Sequence, residues 1–230
     1  MINQMRINKF IAASTKLSRR QADAAIEKGR VTVNGQPLAD FSYMVTEKDI
    51  VMLDDKELAV HPHVYYALNK PVGVTSTTAD PHAEKCVTDL VPKTPPVVPV
   101  GRLDKDSRGL LLLSNDGDFI HQLTHPSYEH EKEYVVTVDK PLADTIPDVL
   151  QKGIRLDEGL ARADRASIES KFVLRMTIHQ GWNRQIRRML SMLSYDVVDL
   201  LRVRIGEYEL AGLPEGEYTE VSPENVLPKV

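Results

Sequence analysis

The four consecutive leucines Leu110–Leu113 constrain this chain more than any other feature. An apolar run without alternation has no wet face, so it reads as a fully buried strand. It follows directly on "GRLDKDSRG", a loop carrying Arg102, Asp104, Lys105, Asp106 and Arg108. Such charges cost nothing at a surface, but set against a buried strand they mark a candidate site. Gly101 and Gly109 permit sharp turns at the two ends of the loop. The "NDGD" beyond the leucines reads as a turn.

From residue 64 onward short strands alternate with short helices. "YYALNKP", "VVPV", "LLLLS", "KEYVVTV", "VLRMTI" and "VVDLL" read as strands. Helices are expected at 118–125, 142–151 and 184–194. In the last, Ile186, Met189, Leu190 and Leu193 form one apolar stripe, with Arg184, Arg187 and Arg188 on the other side. The proline-rich "PKTPPVVP" cannot be a central strand throughout and is expected to loop toward 101–109. The class is α+β, with a mixed, mainly antiparallel sheet flanked by helices. A linker near 57–63 divides the chain into an N-terminal domain, 1–60, and a larger domain, 64–230.

The N-terminal stretch "KLSRRQADAAIEKGRVTVNG" spells out a small module. Ser18 and Gln21 form the two halves of a capping box. Ala22, Ala25 and Ile26 give a narrow apolar stripe, and Gly29 ends the helix. Val31 and Val33 alternate as a strand, and Asn34-Gly35 is a tight-turn signal. An earlier helix is expected around Arg6 to Ala13. With "DIVML" as a further strand, residues 5–53 resemble the S4 RNA-binding module. The resemblance implies RNA held by phosphate contacts and shape, through Arg6, Lys9, Lys16, Arg19, Arg20, Lys28 and Arg30.

The net charge of −4 argues against a polyanion partner until its distribution is read. Residues 1–35 carry seven Lys/Arg against two acids, and the last 24 residues carry six Glu against one Lys. The basic end suits nucleic acid. No apolar run approaches the ~18 residues of a membrane span, and the N-terminus lacks a signal-peptide core. Cys86 stands alone, so a reducing cytoplasm is expected and no cysteine metal site is. His61 and His63 lack a third ligand, and His121 and His125 lack an HExxH frame, so no metal is expected.

Three stretches bring chemistry-bearing residues: Asp104 before the buried strand, Tyr134 in "HEKEYVVTV", and the arginines of "QGWNRQIRRML". A carboxylate, a phenol and a guanidinium suit covalent or acid–base work without a metal. Together with "LNKPVG" and "LLRVRIG", these motifs resemble the RsuA-type pseudouridine synthases along nearly the whole chain. Within that family they are most similar to the RluF branch, which acts on large-subunit rRNA.

The resemblance implies that Asp104 is the catalytic aspartate, that Tyr134 stacks on the target base and that Arg187 partners Asp104. It also implies that Arg102 helps displace the target nucleotide and that Lys70 belongs to a shorter "NKP" motif. Lys70, Arg184, Arg188 and Arg202 are further expected RNA contacts. The implied partner is ribosomal RNA, free or within an assembling subunit, with transfer RNA open as a second substrate. A monomer without cofactor is expected. The alternatives are a 16S rRNA enzyme, a non-catalytic RNA binder, and a metal-dependent nuclease built on Asp104, Asp106, Asp116 and Asp118.

Overall fold

The chain divides into two units in this computed structural model: Met1–Val64 with Pro92–Pro96, and Tyr65–Val91 with Val97–Val230. The structure describes residues 4–15, 17–59, 61–78 and 83–227. Lys16, an expected RNA contact, lies outside the described residues.

In the first unit β1 (Met5–Arg6) leads into α1 (Ile7–Ser14) and α2 (Arg19–Glu27). β2 (Val31–Val33), β3 (Gln36–Pro37), β4 (Met44–Val45), β5 (Val51–Leu53) and β6 (Lys56–Glu57) follow. The capping box forms as the sequence dictates. Ser18 Oγ accepts from the Gln21 amide at 3.3 Å, and Gln21 Oε1 accepts from the Ser18 amide at 2.8 Å. Asn34 and Gly35 both have positive φ, at 51° and 79°, which sets the tight turn between β2 and β3. Ile7, Phe10 and Ile11 of α1 pack with Ala22, Ala25 and Ile26 of α2 over Val31, Val33, Val45 and Val51. Arg6, Arg19, Arg20, Lys28 and Arg30 are exposed around this small core, and Lys9 is half-buried. Arg30 is already engaged by an ion pair with Asp54.

The second unit begins with β7 (Tyr65–Lys70), β8 (Val98–Val100), β9 (Arg108–Ser114) and α3 (Gly117–Thr124). β10 (Lys132–Val138), α4 (Ile146–Lys152), β11 (Ile154–Leu156), β12 (Gly159–Ala161), β13 (Arg165–Ser170) and β14 (Val173–Ile178) come next. α5 (Gln185–Met192), β15 (Val197–Ile205), β16 (Tyr208–Glu209) and β17 (Tyr218–Glu220) complete it. Among the described residues, nine strands form one sheet in the order β13-β14-β10-β15-β9-β7-β17, with β16 on β15 and β8 on β9. Every pairing in it is antiparallel except β9 with β15.

The leucine run lies at the centre. β7 pairs with β9 over Gly109–Ser114, while β15 takes the other edge at Arg108–Gly109 and β8 takes it at Leu112–Ser114. Leu110 to Leu113 are each 1% exposed or less. The strand expected at "VVPV" forms as β8. Val98–Val100 runs against the far half of β9, and Pro99 lies in a strand that pairs on one side only.

Two edge strands are additions to the expected set. β17 is exposed throughout and carries no apolar alternation, whereas β13 alternates only Ala166 and Ile168, both half-buried, with exposed polar residues. The helix expected at 142–151 starts later, with Pro147 in the first turn of α4, where its missing amide hydrogen is not needed.

Candidate active site

Loop 101–107 enters β9 from a left-handed glycine at each end, Gly101 at φ 75° and Gly109 at φ 106°. Gly109 is dictated by the close approach of β15. A Cβ there would lie 2.3 Å from the Arg202 carbonyl oxygen and 2.7 Å from its amide nitrogen. The parallel pairing of Arg202 with Gly109 thus requires a residue without a side chain. Arg108 locks the same junction through two hydrogen bonds to Asp199, at 2.9 and 2.7 Å.

The loop itself is braced from several elements. Lys70 Nζ donates to the carbonyl oxygens of Ser107 at 2.6 Å and Pro71 at 2.9 Å. Ser76 Oγ donates to the Leu103 carbonyl and accepts from its amide. Arg202 Nε donates to Leu110 O at 2.7 Å and its Nη1 to Arg102 O at 3.3 Å. Arg187 donates to Asp106 O, Ser107 Oγ and Val197 O. Arg184 grips the Asp106 carboxylate with two hydrogen bonds at 3.0 and 2.9 Å.

Asp104 is left at the apex, one-third exposed, with Arg184 Nη1 3.9 Å from its Oδ2. This corrects the expected pairing. The guanidinium beside Asp104 belongs to Arg184, whereas Arg187 holds the loop backbone and approaches Asp106. The physical reason lies in the helix start. Arg184 caps α5 from a left-handed conformation, φ 48°, which sets its side chain apart from the row that Arg187 and Arg188 follow. Arg188 is committed elsewhere, to Glu158 and the Asn183 carbonyl.

Tyr134 reaches the same place from β10. The ladder between β10 and β15 slips by one residue after Glu133, so that Tyr134 stands directly opposite Arg202. Opposed residues of an antiparallel pair share a face, and bulges commonly re-aim side chains beside sites. Tyr134, Arg202, Asp104, Ser107, Arg184 and the exposed Arg102 all line one cleft of about 700 Å³. Lys132, Trp182, Leu200, His125 and His130 complete much of its wall. Arg187 is not among the lining residues.

Two expected RNA contacts are corrected by burial. Lys70 is fully buried and spends its ammonium on the loop carbonyls, so no RNA atom reaches it. Arg202 is 3% exposed and acts first as a brace beneath the loop, although its Nη2 makes no hydrogen bond.

Burial, then the positive Arg202, pushes the Lys70 amine down to about 8. The same two causes bring Lys132 down to about 8. The hydrogen bonds from Arg184 hold Asp106 below the usual carboxylate range.

Sequence reasoning passed over Lys132 and Ser76. Lys132 was legible, because strand alternation puts it on the face of Tyr134 two residues on. Ser76 carries no signal at all; only the folded chain brings it to Leu103.

Two carboxylates of the nuclease alternative, Asp106 and Asp116, do other work. Asp116 caps α3 by accepting from the amides of Asp118 and Phe119, and it accepts from the Tyr65 hydroxyl at 2.8 Å. Among the described residues no three His, Cys, Asp or Glu converge as metal ligands. Nor is any helix among them long and apolar enough to cross a membrane.

Comparison with known proteins agrees with this geometry. Residues 64–192 match the RNA pseudouridylate synthase family and residues 5–51 match the S4 domain. The chain is 39% identical over 227 residues to the dual-specificity RNA pseudouridine synthase RluF of Salmonella typhi, covering 96% of this chain and 77% of that protein. It is 38% identical over 228 residues to the ribosomal large subunit pseudouridine synthase B of Bacillus subtilis, covering 96% and 93%. A crystal structure of a pseudouridylate synthase superposes with a TM-score of 0.69 at 30% identity, over 96% of this chain and 98% of that one. With these matches over nearly its whole length, and an S4 domain at residues 5–51, this chain is a member of the RNA pseudouridylate synthase family.

Proposed function

We propose that this protein isomerises a specific uridine of large-subunit ribosomal RNA to pseudouridine, using Asp104 on a nucleotide flipped out of its stack. The observation that carries the reading is that Asp104 and Tyr134, from separate elements, line one cleft with Arg184 3.9 Å from the carboxylate. The cleft lies within the range of small-ligand pockets, about 300–1,000 Å³. The rRNA assignment is supported by the relative named for the large ribosomal subunit, and a second RNA class by the dual-specificity relative.

The reaction breaks the N1–C1′ bond, turns the uracil and forms C5–C1′, while the C5 proton leaves and N1 gains one. Atoms and electrons balance within the nucleotide, so no redox partner or phosphoryl donor enters. Unstacking costs a few kcal/mol, least for an unpaired base. The exposed Arg102 at the cleft is suited to fill the vacated gap, and the ring of Tyr134 to receive the uracil. Asp104 acts at the sugar or at the base, with the Arg184 guanidinium beside it. Arg187, Lys70 and Arg202 hold the loop that presents it. Arg6, Lys9, Lys16, Arg19, Arg20, Lys28 and Arg30 supply the phosphate contacts of the S4 domain, which position the substrate without reading its sequence. The enzyme works as a monomer in the cytoplasm, where its substrate is made.

The test is incubation of the native protein and Asp104→Asn with unmodified large-subunit rRNA, followed by mapping of pseudouridine. One new site with the native protein and none with Asp104→Asn is expected. No new site, or equal activity in the variant, overturns the proposal.

A further inference from the structure

Residues 121–130 form a surface that the chemistry above does not use. His121 and His125, one turn apart on α3 and its cap, have ring centroids 4.9 Å apart. Tyr128 meets both edge-on at 6.1 and 6.2 Å and lies nearly parallel to His130, 23° apart at 6.1 Å. Three of the chain's seven histidines thus gather round one tyrosine, which is too dense for a chance scatter of surface rings.

These rings are not core. Phe119 and Leu123 of the same helix face inward, whereas His121, His125 and Tyr128 are exposed, Tyr128 by 48%. Nor are they loose. His125 Nδ1 accepts from the Ser127 amide at 3.3 Å and lies 2.7 Å from Ser127 Oγ, which fixes the ring at the start of a short 3₁₀ turn, Pro126–Tyr128. Glu129 follows in the left-handed region, φ 48°, and turns the chain so that His130 comes back beneath Tyr128. Burial lowers the pKa of His130 and favours its neutral ring. His125, Pro126, Glu129 and His130 line the cleft that holds Asp104 and Tyr134.

We infer that this ring cluster is a stacking shelf for the unpaired nucleobase next to the target uridine in the RNA strand. The inference rests on the reading that the cleft takes a flipped-out uridine. A base pulled from its stack leaves its neighbour with an exposed face. His125 and His130 line the same cleft and Tyr128 stands against both, so these fixed flat rings cover that face with little ordering cost, whatever the base, because every base has a π-face. The nearby cleft cations Arg102 and Arg184 suit the backbone that joins the two nucleotides.

The probe is an RNA fragment spanning the converted uridine, with the base on its 5′ or 3′ side removed in turn to leave an abasic nucleotide. Tyr128→Ala is expected to raise KM roughly ten-fold, the size of one base–aromatic stack, and to change kcat less. Tyr128→Phe, which keeps the ring, is expected to recover most of the loss. One of the abasic fragments is expected to cost the native protein a similar factor and to cost Tyr128→Ala nothing further. Native KM in Tyr128→Ala, or losses that multiply when the variant meets that fragment, overturn the shelf. If the native protein converts no uridine, the isomerase reading is what fails. The shelf is then read by equilibrium binding of large-subunit rRNA fragments with and without unpaired bases. Weaker binding of the unpaired fragments by Tyr128→Ala, restored in Tyr128→Phe, supports it, and native affinity in Tyr128→Ala overturns it.

Discussion

The ammonium of Lys70 lies 2.6 Å from the carbonyl oxygen of Ser107, three residues past Asp104, and neither residue has any exposed surface. A charged group is thereby buried for the sake of a loop's position. Lys70→Met leaves two carbonyl oxygens without their donor, at about 1–3 kcal/mol for each unsatisfied group. The melting temperature is expected to fall, and kcat to fall more than KM rises.

The same lysine gives a pH dependence. Its folded-state value of about 8 lies below the ordinary 10.5, so between these limits the unfolded chain binds the extra proton. Stability contributed at this site therefore rises with pH across that window, and below it the buried charge opposes folding in full. Relative to Lys70→Met, the native protein is expected to gain about 2–3 kcal/mol from one end of the window to the other. Urea unfolding of both proteins at the two ends measures it; a constant difference rules the effect out.

Arg184 and Arg187 should separate cleanly. Arg184→Gln removes an exposed ion pair with Asp106, worth less than about 1 kcal/mol, and the cation beside Asp104. Its stability is expected to stay near native while kcat drops at least about ten-fold. Arg187→Met strips donors from Asp106 O and Val197 O and is expected to lose about 2–3 kcal/mol of stability. Thermal melts and steady-state kinetics on both variants decide between these patterns.

Gly109→Ala sets a methyl group 2.3 Å from a backbone oxygen that cannot step aside. A loss of about 3 kcal/mol or more is expected, with the β9–β15 junction opened and activity gone. Denaturant unfolding checks the first part; native stability in this variant contradicts the junction described here.

Ser18→Ala breaks the capping box of α2 and is expected to cost the S4 domain about 1 kcal/mol. Circular dichroism melts read the loss, with RNA affinity falling in parallel at elevated temperature.

Much of this was legible in the residues because local chemistry agreed with the global fold. The capping box at Ser18, the Asn34-Gly35 turn and the unbroken leucine run each admit few structures, and each formed as read. Asp104 and Tyr134 could be named from their motifs, but their meeting in one cleft depends on a ladder slip after Glu133 that leaves no mark in the sequence. The family resemblance implies Arg187 as the partner of Asp104, and helical spacing does not separate it from its neighbours. The left-handed turn at Arg184 redistributed the three guanidiniums instead. The "NKP" motif makes Lys70 an expected RNA contact; lysines are seldom fully buried, and the two carbonyls that accept its hydrogen bonds explain why this one is.

The parallel pairing within the nine-stranded sheet, β9 with β15, joins residues some ninety positions apart in the chain. During synthesis, a nascent polypeptide that ends before Arg202 has already made Asp104 but lacks the strand and guanidinium that lie beneath its loop. The bracing of the Asp104 loop thus waits on residues made some ninety positions after it, and cannot form while the chain is shorter than that.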